Sequence, residues 1–324
     1  MQAIIRAIPG FRSPALFDVA GRPLIVRQLQ WLRDAGIDRV VIASPNETER
    51  QLVCGALADD AALARNVQWV EARHDDRERL RVLFRPGVPS FVLDADLIGG
   101  ADLVQILARC TRSSRVSLQS PGNWARELRL LPSLDVIVDD AGGDALRCDL
   151  FDWTLGATTH AGWGVRLRSE ADGLLLSSAV LSRRTPAIGE ANVSEVTVHA
   201  AERAPGVWVA RGAHVEVGAR LVGPVYVGAD AYVCRGSQIG PATVLHRRAV
   251  VERSSTIIGS IVEEGVIVGE GVTLRAKQAA RGAVFDLQSG RRVTIADRRL
   301  LDARSPRRRS WSLPLMGARR ATLG

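Results

Sequence analysis

Residues 209–256 read VARGAH VEVGAR LVGPVY VGADAY VCRGSQ IGPATV LHRRAV VERSST, eight successive hexads that each begin with Val, Leu or Ile. The fifth residue of most hexads is Ala, Ser or Thr, and Gly or Asp occupies many positions between. A helix repeats every 3.6 residues and a half-buried strand every two, so neither produces a period of six. The period predicts short strands joined by turns, three to a triangular coil, with the aliphatic residue pointing inward.

The six-residue spacing of the aliphatic residues is interrupted once. After Ile257 the next step of the repeat is five residues, to Val262, and the sixfold step then resumes at Val268 and Leu274. One residue is therefore missing, and we expect a local irregularity at 259–261. The repeat resembles the hexapeptide-repeat left-handed β-helix family, and the left hand is what this resemblance implies, against the general right-handed rule for crossovers.

Composition indicates a soluble chain of two domains. The protein has 324 residues, 46% of them hydrophobic, and no apolar run long enough to cross a bilayer. Its four cysteines are far apart, which argues against a zinc site and a disulfide scaffold. The opening residues MQAIIRAIPG lack the pattern of a signal peptide, so we expect a cytoplasmic location.

The net charge of +8 is concentrated at the end of the chain, because Arg298–Gly324 holds eight arginines and one acid, Asp302. The remainder is nearly neutral, so we predict no nucleic-acid partner. We expect residues 291–324 to form a basic, disordered tail. Trp311 and several aliphatic residues lie among these arginines, which leaves open a peripheral membrane contact through Arg298–Gly324.

Apolar segments that fit strands alternate with helical patterns in the first part of the chain. Strands are predicted at 1–8, 39–43, 67–70, 90–93, 116–119 and 134–138, and helices at 23–35, 46–57, 77–83, 101–108 and 173–181. The alternation indicates a parallel, doubly wound, Rossmann-like α/β domain over residues 1–200, whose strands end at one shared crevice. The segment 120–206 is poorly readable, with a short linker at 204–206.

Two runs in this domain resemble sugar-phosphate nucleotidyltransferases, the NDP-sugar pyrophosphorylases: Phe17-Asp18-Val19-Ala20-Gly21-Arg22-Pro23-Leu24-Ile25 and Phe91-Val92-Leu93-Asp94-Ala95-Asp96. Many members of that family carry a left-handed β-helix after the α/β domain, which agrees with a β-helix at 207–290. The resemblance implies transfer of a nucleotidyl group from an NTP to a sugar 1-phosphate with Mg²⁺. It implies that Asp96 ligates the metal and that Gly10, Arg12 and Asp94 contact the nucleotide.

The chain departs from this family at the phosphate-binding loop. The corresponding residues read Arg6-Ala7-Ile8-Pro9-Gly10-Phe11-Arg12-Ser13-Pro14-Ala15, which is several residues short and has a single glycine. Pro9 cannot donate a backbone hydrogen bond. The family lysine falls on Pro14, and the only lysine of the chain, Lys277, lies in the repeat. Asp96 is therefore interpreted either as a metal ligand or as an N-cap or turn aspartate ahead of the next helix.

Three functions follow from these patterns. The first is a catalytically degenerate nucleotidyltransferase-like protein of nucleotide-sugar or polysaccharide biosynthesis, with a regulatory or assembly role as a homo-oligomer or beside an active homologue. The second is an active sugar-1-phosphate nucleotidyltransferase. The third is a hexapeptide-repeat acyltransferase in which His246 acts as general base.

Overall fold

The computed structural model of the protein describes residues 1–6, 14–58, 60–72, 79, 83, 88–100, 102–109, 114–119, 133–137, 157–182 and 198–303. Most of the helix predicted at 77–83 therefore lies outside the described residues, as do Gly10 and Arg12.

The first part of the chain is an α/β domain. Its strands are β1 Gln2–Arg6, β2 Asp18–Val19, β3 Arg22–Pro23, β4 Arg39–Ser44, β5 Val67–Glu71, β6 Ser90–Asp94, β7 Leu97–Gly99, β8 Ser114–Gln119, β9 Ser133–Ile137 and β10 Ala157–Arg166. Its helices are α1 Leu24–Asp34, α2 Glu47–Leu57, α3 Ala61–Ala64, α4 Leu103–Arg109 and α5 Glu170–Leu181, with a 3₁₀ turn at Pro14–Leu16.

The large sheet of this domain is parallel in one half and mixed in the other. Its order is β5-β4-β1-β6-β9-β8-β10-β7. Strands β5, β4, β1 and β6 run parallel, as the alternation of strands and helices predicts. Strand β9 is antiparallel to β6 and β8, and β7 is antiparallel to β10. The expectation of an entirely parallel sheet is thus wrong beyond β6.

Local sequence explains the helix boundaries. Helix α1 packs Ile25, Leu29 and Leu32 against β1 and β6 in one apolar core. Helix α2 begins after Asn46, whose side chain accepts from the Glu49 amide at 2.9 Å. Such N-caps satisfy amides that the first helical turn leaves without partners.

The second part of the chain consists of short strands that pair at long range into three sheets. The first sheet contains β11 Ala201–Ala204, β12 Val207–Val209, β15 Val225–Val227, β18 Thr243–Leu245, β21 Ile261–Val262, β24 Lys277–Ala280, β25 Ala283–Asp286 and β26 Arg292–Thr294. The second contains β13 His214–Val215, β16 Tyr232–Val233, β19 Val250–Val251, β22 Val266–Val268 and β27 Leu301–Ala303. The third contains β14 Arg220–Leu221, β17 Gln238–Ile239, β20 Thr256–Ile258 and β23 Thr273–Arg275.

The parallel pairing within these sheets follows the hexads. Val227 pairs with Leu245, an offset of 18 residues or three hexads. Beyond the missing residue the offset falls to 17, since Leu245 pairs with Val262. The predicted irregularity is confirmed. The first residues of the hexads from Val227 to Ile257 are fully buried between the sheets, whereas those of the three preceding hexads are partly buried. This arrangement is compatible with the predicted β-helix.

Antiparallel strands cover the ends of two of these sheets. Strand β11 pairs with β12 at one end, while β25 pairs with β24 and β27 pairs with β22 at the other. Residues 291–303, predicted as part of a disordered tail, thus contain β26 and β27. Leu301 is buried in the core between the sheets, which explains why this part of the segment is ordered. Residues 201–204, at the edge of the predicted linker, likewise form a strand.

The outward side of the first sheet is buried against helix α5. Tyr226, Val244 and Ile261 share an apolar cluster with Leu174 and Leu176 of the helix. No helix in the described part of the chain is both long and apolar enough to span a membrane.

Candidate functional site

A cluster of two aspartates and two arginines lies where the central parallel strands end. Arg6 is the last residue of β1 and Asp94 the last of β6, and the two are register partners in the parallel pair. Asp96 lies in the turn between β6 and β7. Arg166 ends β10 opposite Leu97 of β7, which brings it beside Asp96. The carboxyl ends of parallel strands are where α/β sheets form their ligand crevices.

Guanidinium groups hold every carboxylate oxygen of the two aspartates. Arg6 binds Oδ1 of Asp94 through Nε at 2.9 Å and Nη2 at 2.7 Å. Arg166 donates from Nη2 to Asp94 Oδ2 at 2.8 Å. Its Nη1 donates to both oxygens of Asp96, at 2.9 and 3.2 Å. Two negative and two positive charges give a cluster with no net charge.

The four side chains are mostly screened from water, with relative exposures of 13% for Arg6, 16% for Asp94, 14% for Arg166 and 9% for Asp96. Charge-assisted hydrogen bonds are stronger in such surroundings than in bulk water. The cluster therefore ties the ends of β1, β6 and β10 together.

This environment shifts the pKa values of the two aspartates in opposite directions. Burial tends to raise the pKa of Asp94, but Arg6 and Arg166 outweigh it and hold that pKa below its ordinary value. Burial raises the pKa of Asp96 above its ordinary value despite Arg166, and the charge of Asp94 adds to the rise. Burial tends to lower the pKa of Arg166, but the two carboxylates outweigh it and raise that pKa.

A buried glutamine fixes the backbone of this turn. Gln28 of α1 is fully buried, and its Nε2 donates to the carbonyl oxygens of Asp94 at 2.9 Å and Leu97 at 2.6 Å. On the other side, the Leu167 amide donates to the Asp96 carbonyl at 2.7 Å. The positions of Asp94 and Asp96 are thus set by backbone contacts as well as by the arginines.

The magnesium ion that the family resemblance implies does not fit this arrangement. Mg²⁺ takes oxygen ligands at about 2.0–2.1 Å in near-octahedral geometry. Each carboxylate oxygen of Asp94 and Asp96 instead accepts from a guanidinium, and Arg166 bridges both residues. No group of three or more potential ligands suited to a metal occurs among the described residues. Asp94 and Asp96 lie beside one another at the strand end, where both are partners of arginine.

Asp96 is not the N-cap of the next helix. Helix α4 begins at Leu103, and Asp102 accepts from the Gln105 amide at 3.0 Å, so Asp102 supplies the cap. Asp96 does occupy a turn, but that turn leads into β7 rather than into the helix.

His246 lies far along the chain from these residues, at the junction between the first sheet of the repeat and the α/β domain. Its Nε2 is 3.6 Å from Oδ2 of Asp18, a side chain that is 3% exposed. Arg27 of α1 donates to the carbonyl oxygens of Val19 and Ala20 in the same loop. The acyl-transfer interpretation of His246 stays a prediction.

Sequence reasoning missed Arg6 and Arg166. Arg6 carries a signal in retrospect, because it is the charge that ends an otherwise apolar strand. Arg166 lies in the poorly readable segment and is 70 residues from Asp96, so no local pattern connects the two.

Comparison with known proteins leaves the family of this chain open. No model of a known protein family matches the sequence. No curated protein matches it either. Among solved structures, HddC from Yersinia pseudotuberculosis complexed with GMP-PN is 11% identical with a TM-score of 0.38, over 54% of this chain and 97% of HddC. A second structure of HddC is 12% identical with a TM-score of 0.36, over 51% of this chain and 92% of HddC. A likeness at these values carries no inference about activity.

Proposed function

We propose that this protein is a nucleotidyltransferase-like member of a nucleotide-sugar or polysaccharide pathway that has lost nucleotidyl transfer and acts in regulation or assembly. The observation that carries the proposal is the pairing of Asp94 and Asp96 with Arg6 and Arg166 at the strand ends. An NTP or nucleotide sugar remains the expected ligand class for the crevice.

Charge supports the loss of catalysis. Nucleotidyl transfer depends on positioning and on cations that oppose the charge developing on phosphate oxygens. The two arginines of the cluster are already neutralised by the two aspartates, so these four described side chains together offer no net positive charge. Moving the Arg166 guanidinium to bind phosphate would also take from the partly buried Asp96 carboxylate the arginine that binds both of its oxygens.

The lysine supports the same conclusion. The resemblance implies lysines that contact the phosphates, yet the chain has one lysine, Lys277. That residue lies in β24 of the repeat, where its ammonium binds Asp286 across the β24–β25 pair. The positive charge of Lys277 is thus paired with Asp286 within the repeat.

The lateral surfaces of the strand repeat, rather than its ends, support the proposed assembly role. Antiparallel strands cover the ends of two sheets, and helix α5 covers the outward side of the first. The outward residues of the second sheet include Tyr232, Val250 and Ile267, which are partly exposed. We expect a homo-oligomer or a complex with an active homologue to use such a lateral side.

The proposal is tested by incubating the full-length protein with each NTP, a panel of sugar 1-phosphates and Mg²⁺, and measuring pyrophosphate. We expect release no greater than in the absence of protein, and no difference between the wild type and Asp96→Ala. Robust release that Asp96→Ala abolishes would overturn the proposal in favour of an active sugar-1-phosphate nucleotidyltransferase.

A further inference from the structure

Arg166 is the one side chain that contacts both aspartates of the strand-end cluster among the described residues. We propose that its guanidinium is a built-in counter-cation at the place where a divalent ion would bind, and that removing this one side chain creates a site for such an ion. The inference rests on the geometry of the cluster and not on the proposed function.

The guanidinium excludes a metal ion by charge and by geometry. Its two terminal nitrogens lie 2.8–3.2 Å from three of the four carboxylate oxygens. A divalent ion bound to Asp94 and Asp96 together would need those same oxygens and would lie within a few ångströms of a fixed positive charge. Arginine stays protonated under all ordinary conditions, so this repulsion cannot be relieved by loss of a proton.

The backbone around Arg166 keeps the guanidinium in this position. Arg166 pairs with Leu97 in the antiparallel β10–β7 ladder, and the next amide, that of Leu167, donates to the Asp96 carbonyl. The side chain is only 14% exposed. Because the residues that flank it are hydrogen-bonded to the turn that carries Asp96, the arginine and the aspartate move as one unit.

The carboxylates should stay in place when the arginine is removed. Gln28 binds the backbone on both sides of the turn, at Asp94 and at Leu97, and Arg6 still binds Oδ1 of Asp94. Of the two cluster arginines, only Arg6 would then remain beside the two partly buried carboxylates. Hard divalent ions prefer such paired carboxylate oxygens, so the vacant position would take Mg²⁺ or Mn²⁺.

The test measures Mn²⁺ binding to the full-length protein by electron paramagnetic resonance, which detects the free ion and needs no enzymatic activity. We expect Arg166→Met to bind one Mn²⁺ at least about tenfold more tightly than the wild type, because a repelling charge within a few ångströms is gone. Arg166→Met combined with Asp96→Asn should lose this gain. Arg166→Lys, which keeps the charge, should not show it.

A folded Arg166→Met protein without any gain in Mn²⁺ binding would overturn the inference. A comparison of the wild type with Asp96→Asn tests it without altering Arg166, in case Arg166→Met does not fold. We expect equal Mn²⁺ binding by these two proteins. Mn²⁺ binding by the wild type that Asp96→Asn removes would show that the arginine does not exclude the ion. Since pyrophosphate release is measured separately, this inference and the proposed function can fail independently.

Discussion

Replacement of Gly21 by alanine should weaken the contact between the α/β domain and the strand repeat. Gly21 lies between β2 and β3 with φ of +82°. A Cβ atom built there would lie 2.1 Å from Cζ of Tyr226, on the first sheet of the repeat. Tyr226 is 6% exposed and packs in the cluster shared with α5, so its ring has no free space to enter.

Gly36 provides a matched control for this substitution. It has a similar φ of +73°, and nothing lies within 4 Å of a Cβ atom built there. The left-handed backbone costs an alanine about 1–2 kcal/mol at either position, partly offset by about 0.4–1 kcal/mol from the stiffer unfolded chain. Overpacking against Tyr226 adds about 1–3 kcal/mol for Gly21→Ala alone.

The assay is thermal and urea unfolding of the wild type, Gly21→Ala and Gly36→Ala. We expect Gly21→Ala to be less stable than Gly36→Ala by about 1–3 kcal/mol, with a melting temperature lower by about 2–4 °C per kcal/mol. In a Tyr226→Ala background this difference should vanish, because the ring that causes it is absent. Equal stabilities of the two single variants in the wild-type background would refute the reasoning.

Three further predictions concern stability. Asp94→Asn should destabilise the protein by about 2 kcal/mol at pH 7 and more than Asp96→Asn does, because the fold lowers the pKa of Asp94 and raises that of Asp96. The contribution of Asp94 is present above its unfolded pKa of about 3.9 and is lost as the pH falls through its lower folded pKa, so the destabilisation caused by Asp94→Asn should shrink as unfolding is measured at pH values progressively below about 3.9. Ser169→Ala removes the capping box of α5 and should cost about 0.5–2 kcal/mol in urea unfolding, whereas Ser178→Ala within the same helix should cost less. Deleting residues 291–324 removes β26 and β27 together with buried Leu301, and should cost at least about 1.5–3 kcal/mol more than deleting residues 304–324; equal melting temperatures of the two truncated proteins would contradict this.

The strand repeat could be predicted closely because each hexad carries its own signal. Strands that pair in parallel lie three hexads apart, so even the single missing residue between Ile257 and Val262 correctly indicates where the pairing offset changes. The sequence of the repeat also indicates which of its sheets packs against helix α5. Tyr226, Val244 and Ile261 are apolar at outward positions, where the third sheet has Arg220, Gln238 and Thr256.

The second half of the large sheet could not be predicted in this way. Strands β8 and β9 form an antiparallel pair whose position beside β6 depends on tertiary packing rather than on a local repeat. The same limit applies to the site. Asp94 and Asp96 stand out because they follow a buried strand, but Arg6 is 88 residues from Asp94, and its role follows only from the strand order.

Helix α5 and the first sheet of the repeat have matching lengths. The helix has 12 residues and is about 18 Å long. Its two ends contact the outermost parallel strands of that sheet: the Leu181 carbonyl accepts from Trp208 of β12 at 2.8 Å, and Glu170 accepts from Gln278 of β24 at 3.4 Å. Four strand-to-strand steps separate β12 from β24, which is about 19 Å. The helix and this part of the sheet thus have the same length. Inserting three further hexads would preserve the pairing of every hexad, yet it would extend the sheet one strand beyond the end of the helix.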